Sequence, residues 1–323
     1  MAAHTFPSVV GLGALNVDRI FRVERLLANG ESAVEDGGAF AGGSAANTVF
    51  GLGRLGIDTG FCGAVGKDAG GRLLLQDFKK AGTDTSRIIT LPDVSSGTVF
   101  CLSAPYKRSL YVLAGANSRL GLTDIDMDYI NGAEYLHLSS FVDNTQFNLS
   151  LQIIERLAKT VKLSFSPGAL YAARGMKAFR PFLARTDVLF INRDEIEKLS
   201  GEDYQKAAVV CLKAGCKTVV VTLGKGVKQA SRTIAAYVRD SRNQWFIDAG
   251  KPSRIKVADT TGAGDAFAAG FLYGALEEKD WQTCGRLGHC AARLSLKCSG
   301  ARGGLPTRRQ LEQQLFKLYG ENL

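Results

Sequence analysis

Short apolar runs rich in Val, Ile and Phe alternate with longer segments of helical periodicity, and this alternation constrains the fold more than any other feature of the chain. Alternation of this kind is typical of a mostly parallel sheet with helices on both faces. The chain is therefore predicted to adopt an α/β fold. The predicted strands are 8–14, 60–65, 134–139, 161–166, 187–192 and 217–223, and the predicted helices include 44–55, 68–81, 146–159 and 204–214.

Two stretches, 21–41 and 97–114, break the alternation because each indicates short strands joined by turns, without room for a helix. Residues 97–102 and 109–113 resemble a hairpin around the polar turn Tyr106-Lys107-Arg108. We infer a small β element inserted into the α/β body, in a natural position for a lid over an active site. Further strands are predicted at 227–231, 234–238 and 244–247, followed by a helical region from Gly262 to Leu318.

Composition and charge narrow the class of protein. With 323 residues, 46% hydrophobic, the chain suits a folded soluble enzyme, and no linker or repeat divides it. The excess of Lys and Arg over Asp and Glu, 40 − 31 = 9, favours anionic ligands, but the scattered basic residues disfavour nucleic acid. No apolar run approaches the roughly 20 residues that cross a membrane, and the start lacks a signal peptide, so we expect a cytoplasmic protein. Seven cysteines without a C-x-x-C pair indicate neither a disulfide framework nor a zinc site.

The strongest chemical signal is the segment Asp259-Thr260-Thr261-Gly262-Ala263-Gly264-Asp265, which follows the strand-like residues 255–258 and opens an apolar helix. Glycines let backbone N–H groups approach a ligand, and a helix N-terminus offers unsatisfied donors and a positive dipole. Residues 262–264 are thus predicted to form an anion hole for a phosphate. Asp265 has two interpretations, a carboxylate that serves only the helix dipole or a general base that faces a substrate hydroxyl. Weak basicity does not exclude the second, because phosphoryl transfer depends more on positioning than on proton abstraction.

A second glycine-rich segment, Gly42-Gly43-Ser44-Ala45-Ala46-Asn47, leads into another helix. The glycine pair permits close approach of the backbone, Ser44 can cap the helix, and Asn47 presents an amide one turn further on. A lone glycine pair usually marks a plain loop-to-helix turn. The presence of the other motifs favours a functional interpretation of this pair.

Together the two segments resemble the two signatures of the ribokinase-like (PfkB) carbohydrate kinases. Further ordered matches, at 13–18, 63–68, 114–117, 192–195 and 222–226, extend the resemblance over nearly the whole chain. The resemblance implies a three-layer α/β/α fold with a mostly parallel central sheet, in one domain spanning 1–323, with a β lid formed by about 15–41 and 97–114. It also implies an ATP-dependent kinase that transfers the γ-phosphoryl group to a primary hydroxyl of a sugar or nucleoside.

The same resemblance implies roles for individual residues. Asp265 looks like the catalytic base beside the anion hole of Gly262, Ala263 and Gly264. The substrate hydroxyls would be bound by Asn16, Asp18, Gly42, Gly43 and Asn47. The nucleotide would be bound by Asn192, Thr222, Gly224, Gly226 and His289, the last on the helix that lines the adenine pocket. Glu195 would organise Mg²⁺ through water, and Asp259 and Thr261 match a monovalent-cation site for which K⁺ is the candidate ion. Relatives often form homodimers through the β lid.

Departures from the family pattern bear on the acceptor. By register from 135–140, Phe141 falls where ribose-specific members carry a carboxylate, and Ser166 stands where many relatives have Asp. An aromatic ring in place of an acid suits a flatter group such as a nucleobase.

Alternative functions stay open. They are a sugar-phosphate kinase of the same family, a non-catalytic nucleotide or sugar sensor on this fold, and a Rossmann-type oxidoreductase. The last is suggested by Gly11-Leu12-Gly13 but lacks the third glycine of the motif, since Asn16 stands there. The histidines His4, His137 and His289 are far apart in sequence, which disfavours a Ser/His/Asp triad or a histidine metal site.

Overall fold

The computed structural model describes residues 6–104, 107–251 and 256–323, and within them a large sheet forms the centre of the molecule. The strands, in chain order, are β1 Val9–Leu12, β2 Asn16–Arg22, β3 Glu35–Gly42, β4 Thr59–Gly66, β5 Ile88–Leu91, β6 Gly97–Ala104, β7 Lys107–Leu113, β8 Tyr135–Ser139, β9 Lys162–Ser166, β10 Thr186–Asn192, β11 Thr218–Gln229, β12 Arg232–Asp240 and β13 Gln244–Asp248. The large sheet has the order β13-β12-β11-β10-β9-β8-β1-β4-β5. Its strands pair in parallel from β5 to β11, and β12 and β13 add an antiparallel edge.

Helices cover both faces of this sheet, because alternate strand residues point to opposite sides. The helices are α1 Ser44–Arg54, α2 Ala69–Lys80, α3 Met127–Asn131, α4 Asn144–Arg156, α5 Gly168–Ala172, α6 Gly175–Arg185, α7 Arg193–Ser200, α8 Tyr204–Lys213, α9 Ala263–Leu276, α10 Trp281–Ser295 and α11 Arg308–Tyr319. On β1, Val10 belongs to the apolar cluster that contains the buried residues of α4 and α6–α8. Its neighbour Val9 belongs to the cluster of α9–α11. The predicted three-layer α/β/α fold with a mostly parallel central sheet is confirmed.

A small sheet with the order β3-β2-β6-β7 stands apart from the large one. The strands β2 and β3 pair antiparallel, β2 and β6 pair in parallel, and β6 and β7 form the predicted hairpin. Residues 13–15 connect β1 of the large sheet to β2, so the small sheet leaves the body at the carboxyl end of a central strand. Since no helix follows β1 directly, the structure contradicts the Rossmann-type alternative.

Several predicted boundaries were wrong for local reasons. The predicted separate strand at 227–231 is the end of β11, which continues through a register shift between Thr222 and Val227. Gly224 and Gly226 have φ of 59° and 86° and permit this bulge within one strand. Lys107 and Arg108 lie in β7 rather than in the predicted turn, whose Tyr106 is outside the described residues. Ile255 and His4 also lie outside them, and residues 256–260 form no strand.

The predicted helical region after Gly262 consists of α9, α10 and α11, separated by two loops. Within the part of the chain that the structure describes, none of the helices has the length and apolar character to cross a membrane.

Candidate active site

The candidate site lies where the chain leaves the carboxyl ends of β1 and β8. At these adjacent strands the order in which the chain adds strands to the large sheet reverses, because β4 pairs on one side of β1 and β8 on the other. Ligands of open parallel sheets bind in the crevice at such a switch point. A cavity of about 280 Å³ occupies it, and Asn16, Asp18, Asn47, Ser140 and Asp265 are among its lining residues.

The carboxylate of Asp265 lies in this cavity, in the first turn of α9. Ser44 Oγ donates to its Oδ1 at 2.7 Å, and Asn47 Nδ2 donates to its Oδ2 at 2.8 Å. Burial raises the pKa of Asp265 to about 6, although the hydrogen bonds from Asn47 and Ser44 act to lower it. The two glycine-rich segments, far apart in sequence, are therefore joined at one carboxylate whose pKa lies near neutral.

The predicted anion hole forms the N-terminus of α9. Gly262 is the N-cap with φ of 73°, a left-handed conformation that glycine adopts freely, and no side chain caps the helix. The first N–H groups of a helix have no acceptor within it and can bind an anion. The N–H of Ala263 makes a long hydrogen bond of 3.4 Å to the carbonyl of Thr260, which an anion would have to replace. Gly264 is exposed, and a Cβ built there would meet no atom within 4 Å. The backbone is therefore open to a ligand beside Asp265.

The loop before α9 is held by Asp259. Its Oδ1 accepts from the backbone N–H and the hydroxyl of Thr261, and its Oδ2 accepts from the N–H of Gly300. Arg108 of the small sheet donates through Nη1 to Thr261 Oγ1 at 3.0 Å. Asp259 and Thr261 thus lie together, and the small sheet contacts the same loop.

Asn16 and Asp18 of β2, which the sequence analysis assigns to substrate binding, line the cavity. Burial raises the pKa of Asp18 to about 7, and the carboxylates of Asp265 and Asp259 act in the same direction. Gly42 lies directly against it, since a Cβ at Gly42 would stand 2.3 Å from Asp18 Oδ2. Gly43, with φ of 104°, passes equally close to the carbonyl of Ala14. Both glycines are needed for the backbone to approach the polar floor of the cavity.

The structure does not place Phe141 at the cavity. Phe141 is 1% exposed and belongs to the core on the α4 side of the sheet. Its neighbours Ser140 and Val142 line the cavity, together with Leu170. The register argument was therefore wrong by one residue, because successive residues after a strand alternate in direction. The apolar side chain that lines the cavity here is that of Val142.

The residues predicted for the nucleotide lie along the carboxyl edge of β10 and β11, where Asn192 and Thr222 are register partners. Asn192 and Glu195 cap α7 reciprocally. The Asn192 side chain accepts from the N–H of Glu195, and Glu195 Oε2 accepts from the N–H of Asn192. Burial raises the pKa of Glu195. His289 lies on α10 against the backbone of Ala249, and burial lowers its pKa to about 4.

Two residues to which the sequence analysis assigned no role also contact the site. Asn117 donates to Asn16 Oδ1 and accepts from the N–H of Leu15, which fixes the turn between β1 and β2. Arg302, in the loop between α10 and α11, donates to Asn47 Oδ1 and to the carbonyl of Gly42. Among the described residues, no cluster of three or more His, Cys, Asp or Glu forms a metal-binding group.

Comparisons with known proteins agree with this geometry. The model of the pfkB family carbohydrate kinases matches residues 7–308. An "uncharacterized sugar kinase" of Archaeoglobus fulgidus is 37% identical over 262 residues, 79% of this chain and 98% of that protein. The ribokinase of Haemophilus influenzae is 29% identical over 314 residues, 93% of this chain and 95% of that one. The solved structure of Arabidopsis thaliana ribokinase complexed with ribose and ATP has a TM-score of 0.81 at 26% identity, covering 96% of this chain and 99% of that one.

Proposed function

This chain belongs to the pfkB family of carbohydrate kinases, and we propose that it transfers the γ-phosphoryl group of ATP to a primary hydroxyl of a sugar or nucleoside, with Asp265 as the base. The observation that carries the proposal is the position of Asp265, which lies in the cavity in the first turn of α9, directly after the open backbone of Gly262–Gly264. An acceptor hydroxyl beside this carboxylate would face a phosphoryl group held at the helix N-terminus.

In the proposed mechanism, Asp265 accepts the proton of the attacking hydroxyl while the N–H groups of residues 262–264 stabilise the transferring phosphoryl group. A pKa of about 6 keeps Asp265 ionised at neutral pH and basic enough to hold the proton briefly. Ser44 and Asn47 orient both carboxylate oxygens. The small sheet serves as the lid that excludes water from the cavity.

Mg²⁺ bound with ATP would neutralise part of the phosphate charge. Glu195 would suit the predicted role of holding it through water, because its carboxylate is fixed at the start of α7 by the reciprocal cap with Asn192. Asp259 and Thr261 lie together as the predicted monovalent-cation site requires, and Asp259 also accepts hydrogen bonds from Thr261 and Gly300 that hold the loop. We assign Asp259 and Thr261 the role of fixing the loop.

The walls of the cavity favour a nucleoside as the acceptor. The lining combines the polar side chains of Asn16, Asp18 and Asn47 with an apolar set that is mostly aliphatic and includes the ring of Phe40. The aliphatic walls consist of Ile20, Val99, Leu110 and Val112 from the small sheet and Val142 and Leu170 from the body. A nucleoside places sugar hydroxyls and a flat aromatic base, whose faces pack on apolar side chains, on one molecule, as the two environments require.

A sugar-phosphate kinase is the second candidate, because Arg108 also lines the cavity and Lys107 and Lys225 line the adjoining cleft under the small sheet. A phosphate on the acceptor would be attracted to these cations. A sensor that binds nucleotide and sugar without turnover is the third.

The decisive experiment offers ATP and Mg²⁺ with ribose, fructose, fructose 6-phosphate, adenosine or cytidine and measures ADP release. We expect turnover with a nucleoside. Turnover confined to fructose 6-phosphate would support the second candidate, and turnover confined to free sugars would contradict the assignment of the aliphatic walls. Binding of ATP and acceptor by calorimetry without ADP release would support the sensor.

A further inference from the structure

Arg302 is a buried cation that contacts Asn47 and Gly42 of the candidate site, and the proposed mechanism gives it no role. It is 8% exposed, and its guanidinium lies against the rings of Phe50 and Phe78. Nη1 donates to Asp77 Oδ2 on α2 at 3.0 Å, and Nη2 donates to the carbonyl of Gly42 at 3.2 Å. Nε donates to Asn47 Oδ1 at 2.9 Å. Burying a guanidinium costs solvation free energy. The number of directed contacts that compensate for it therefore indicates a specific role.

The bond from Arg302 decides which way the amide of Asn47 points. Arginine only donates hydrogen bonds and an ionised carboxylate only accepts them. Asn47 lies between Arg302 and Asp265, so its oxygen must face Arg302 and its nitrogen must face Asp265. Rotation of the amide by half a turn would set donor against donor and acceptor against acceptor. The hydrogen bond to Asp265 Oδ2 therefore depends on Arg302.

Arg302 also sets the charge balance of the cavity floor. Its positive charge favours the ionised forms of Asp18 and Asp265, against the burial that raises the pKa of each. The other charged groups that act on these two carboxylates are Asp259, Glu195 and Arg108. Asp77 is the counter-ion on the far side of Arg302.

We propose that Arg302 is a positioning residue for phosphoryl transfer, which orients the Asn47 amide toward Asp265 and holds the backbone at Gly42, which packs against Asp18. The inference rests on the proposed function, in which Asp265 is the base. If it holds, activity also depends on Arg302 in the loop after α10, a residue that lies outside both glycine-rich segments.

The test compares Arg302→Met with the wild type and with Arg54→Met, a control in which another arginine, on α1, loses a contact to Leu305 in the same loop. We expect kcat to fall by about 10- to 100-fold in Arg302→Met, with KM for ATP little changed, because a misplaced base affects the transition state. Loss of the cation raises the pKa of Asp265, so the acidic limb of the kcat profile moves to higher pH. Arg302→Lys keeps the charge but not the planar fork, so it should restore the pH limb and not kcat.

Without Arg302, Asp77 keeps its ion pair with Lys80 but loses its buried partner, which could prevent Arg302→Met from folding. The double variant Asp77→Asn/Arg302→Met removes both charges, with Asp77→Asn as its reference. The same kinetic changes are expected. Hydrogen exchange of the Asn47 side-chain amide, followed by NMR, gives a readout that needs no turnover, and it should accelerate in every variant that lacks Arg302. Unchanged exchange and unchanged kcat in a folded variant would overturn the role of Arg302. Accelerated exchange in an enzyme whose wild type releases no ADP would instead reject the kinase function and keep the orienting contact.

Discussion

The hydroxyl of Ser44 donates a hydrogen bond of 2.7 Å to Oδ1 of Asp265, although the two residues are 221 positions apart. Asn47, one turn along the same helix, holds the other oxygen of that carboxylate. Because both oxygens are fixed from α1, the direction in which Asp265 faces the cavity is set by a helix other than its own. The orientation of this carboxylate therefore depends on α1 as well as on α9.

Replacing Asp265 by Asn should lower kcat by roughly 10²–10⁴ while ATP still binds, because the isosteric amide keeps the shape of the site but cannot accept the proton. Steady-state ADP release and calorimetric ATP binding measure the two effects. Asp194→Asn is a matched control, since Asp194 also lies in the first turn of a helix but on the exposed surface of α7. Full turnover in Asp265→Asn would contradict the assignment of the base.

Acceptor binding should depend on pH through Asp18. With a pKa of about 7, this carboxyl is largely protonated at mildly acidic pH and ionised above neutrality. The ionised form accepts more hydrogen bonds from substrate hydroxyls, so KM for the acceptor should fall as the pH rises through 7. Asp18→Asn should raise KM and remove this dependence. A KM for the acceptor that is flat with pH in the wild type would refute the role of Asp18.

The raised pKa of Asp18 also predicts that the free energy of unfolding depends on pH. Burial raises the folded-state pKa of Asp18 above its usual 3.8, so the protonated form is favoured on folding. The stability that this group contributes is present at low pH and is lost as the pH rises through about 7. Asp18→Asn should therefore melt at a higher temperature than the wild type at mildly alkaline pH, by about 2 °C for each kcal/mol regained. The difference should shrink toward acidic pH. Thermal unfolding at both pH values checks it, and the opposite trend would argue against a buried, high-pKa carboxyl.

Two glycines of the anion hole should respond differently to Ala. At Gly262, φ is 73° and a Cβ would lie 2.6 Å from that of Ala301, so Gly262→Ala should destabilise the fold by about 1–3 kcal/mol. At Gly264 the new methyl group meets no protein atom, so Gly264→Ala should keep or slightly raise stability. It should nevertheless lower kcat, because the methyl group occupies space beside the phosphoryl group. Undiminished kcat in Gly264→Ala would show that no phosphoryl group approaches there.

Arg108 links the small sheet to the anion-hole loop through its bond to Thr261. Arg108→Met should reduce kcat/KM for ATP by about tenfold through the loss of one charge-assisted contact. Stability should change by less than about 0.5 kcal/mol, since Arg108 is exposed. Lys107→Met is the neighbouring control of equal charge and should have the smaller effect on kcat/KM. Equal losses in both variants would indicate a general charge effect instead of a specific contact.

The outer face of the small sheet carries Phe100, Tyr111 and Leu113, and Tyr111 is 58% exposed. Phe100 and Tyr111 are register partners, so they form one apolar patch that no helix of the body covers. We expect a second copy of the chain to cover this patch in a homodimer. Tyr111→Arg should then convert the dimer to a monomer in light scattering, whereas Lys79→Ala on α2 should not. A wild-type monomer at micromolar concentration would contradict the prediction.

The sequence was most informative where local chemistry and regular periodicity agree. The helix starts at Ser44 and Ala263, the central strands and the β6–β7 hairpin follow from glycine placement and from apolar patterning. The direction of a side chain just after a strand was harder to predict. A shift of one residue in register decides whether Phe141 or Val142 lines the cavity. Arg302 could not be found from sequence, because an isolated arginine in a loop is ordinarily a surface residue. Its burial depends on Asp77, Asn47 and Phe50, which only the tertiary fold brings together.

The contact between α1 and α9 has a consequence for how the enzyme is made. During synthesis α1 leaves the ribosome long before α9 and the loop that carries Arg302 are translated. Until then the polar start of α1 has none of the partners that it holds in the finished molecule. A nascent chain that has not yet reached residue 302 is therefore expected to lack kinase activity, however much of its central sheet has formed.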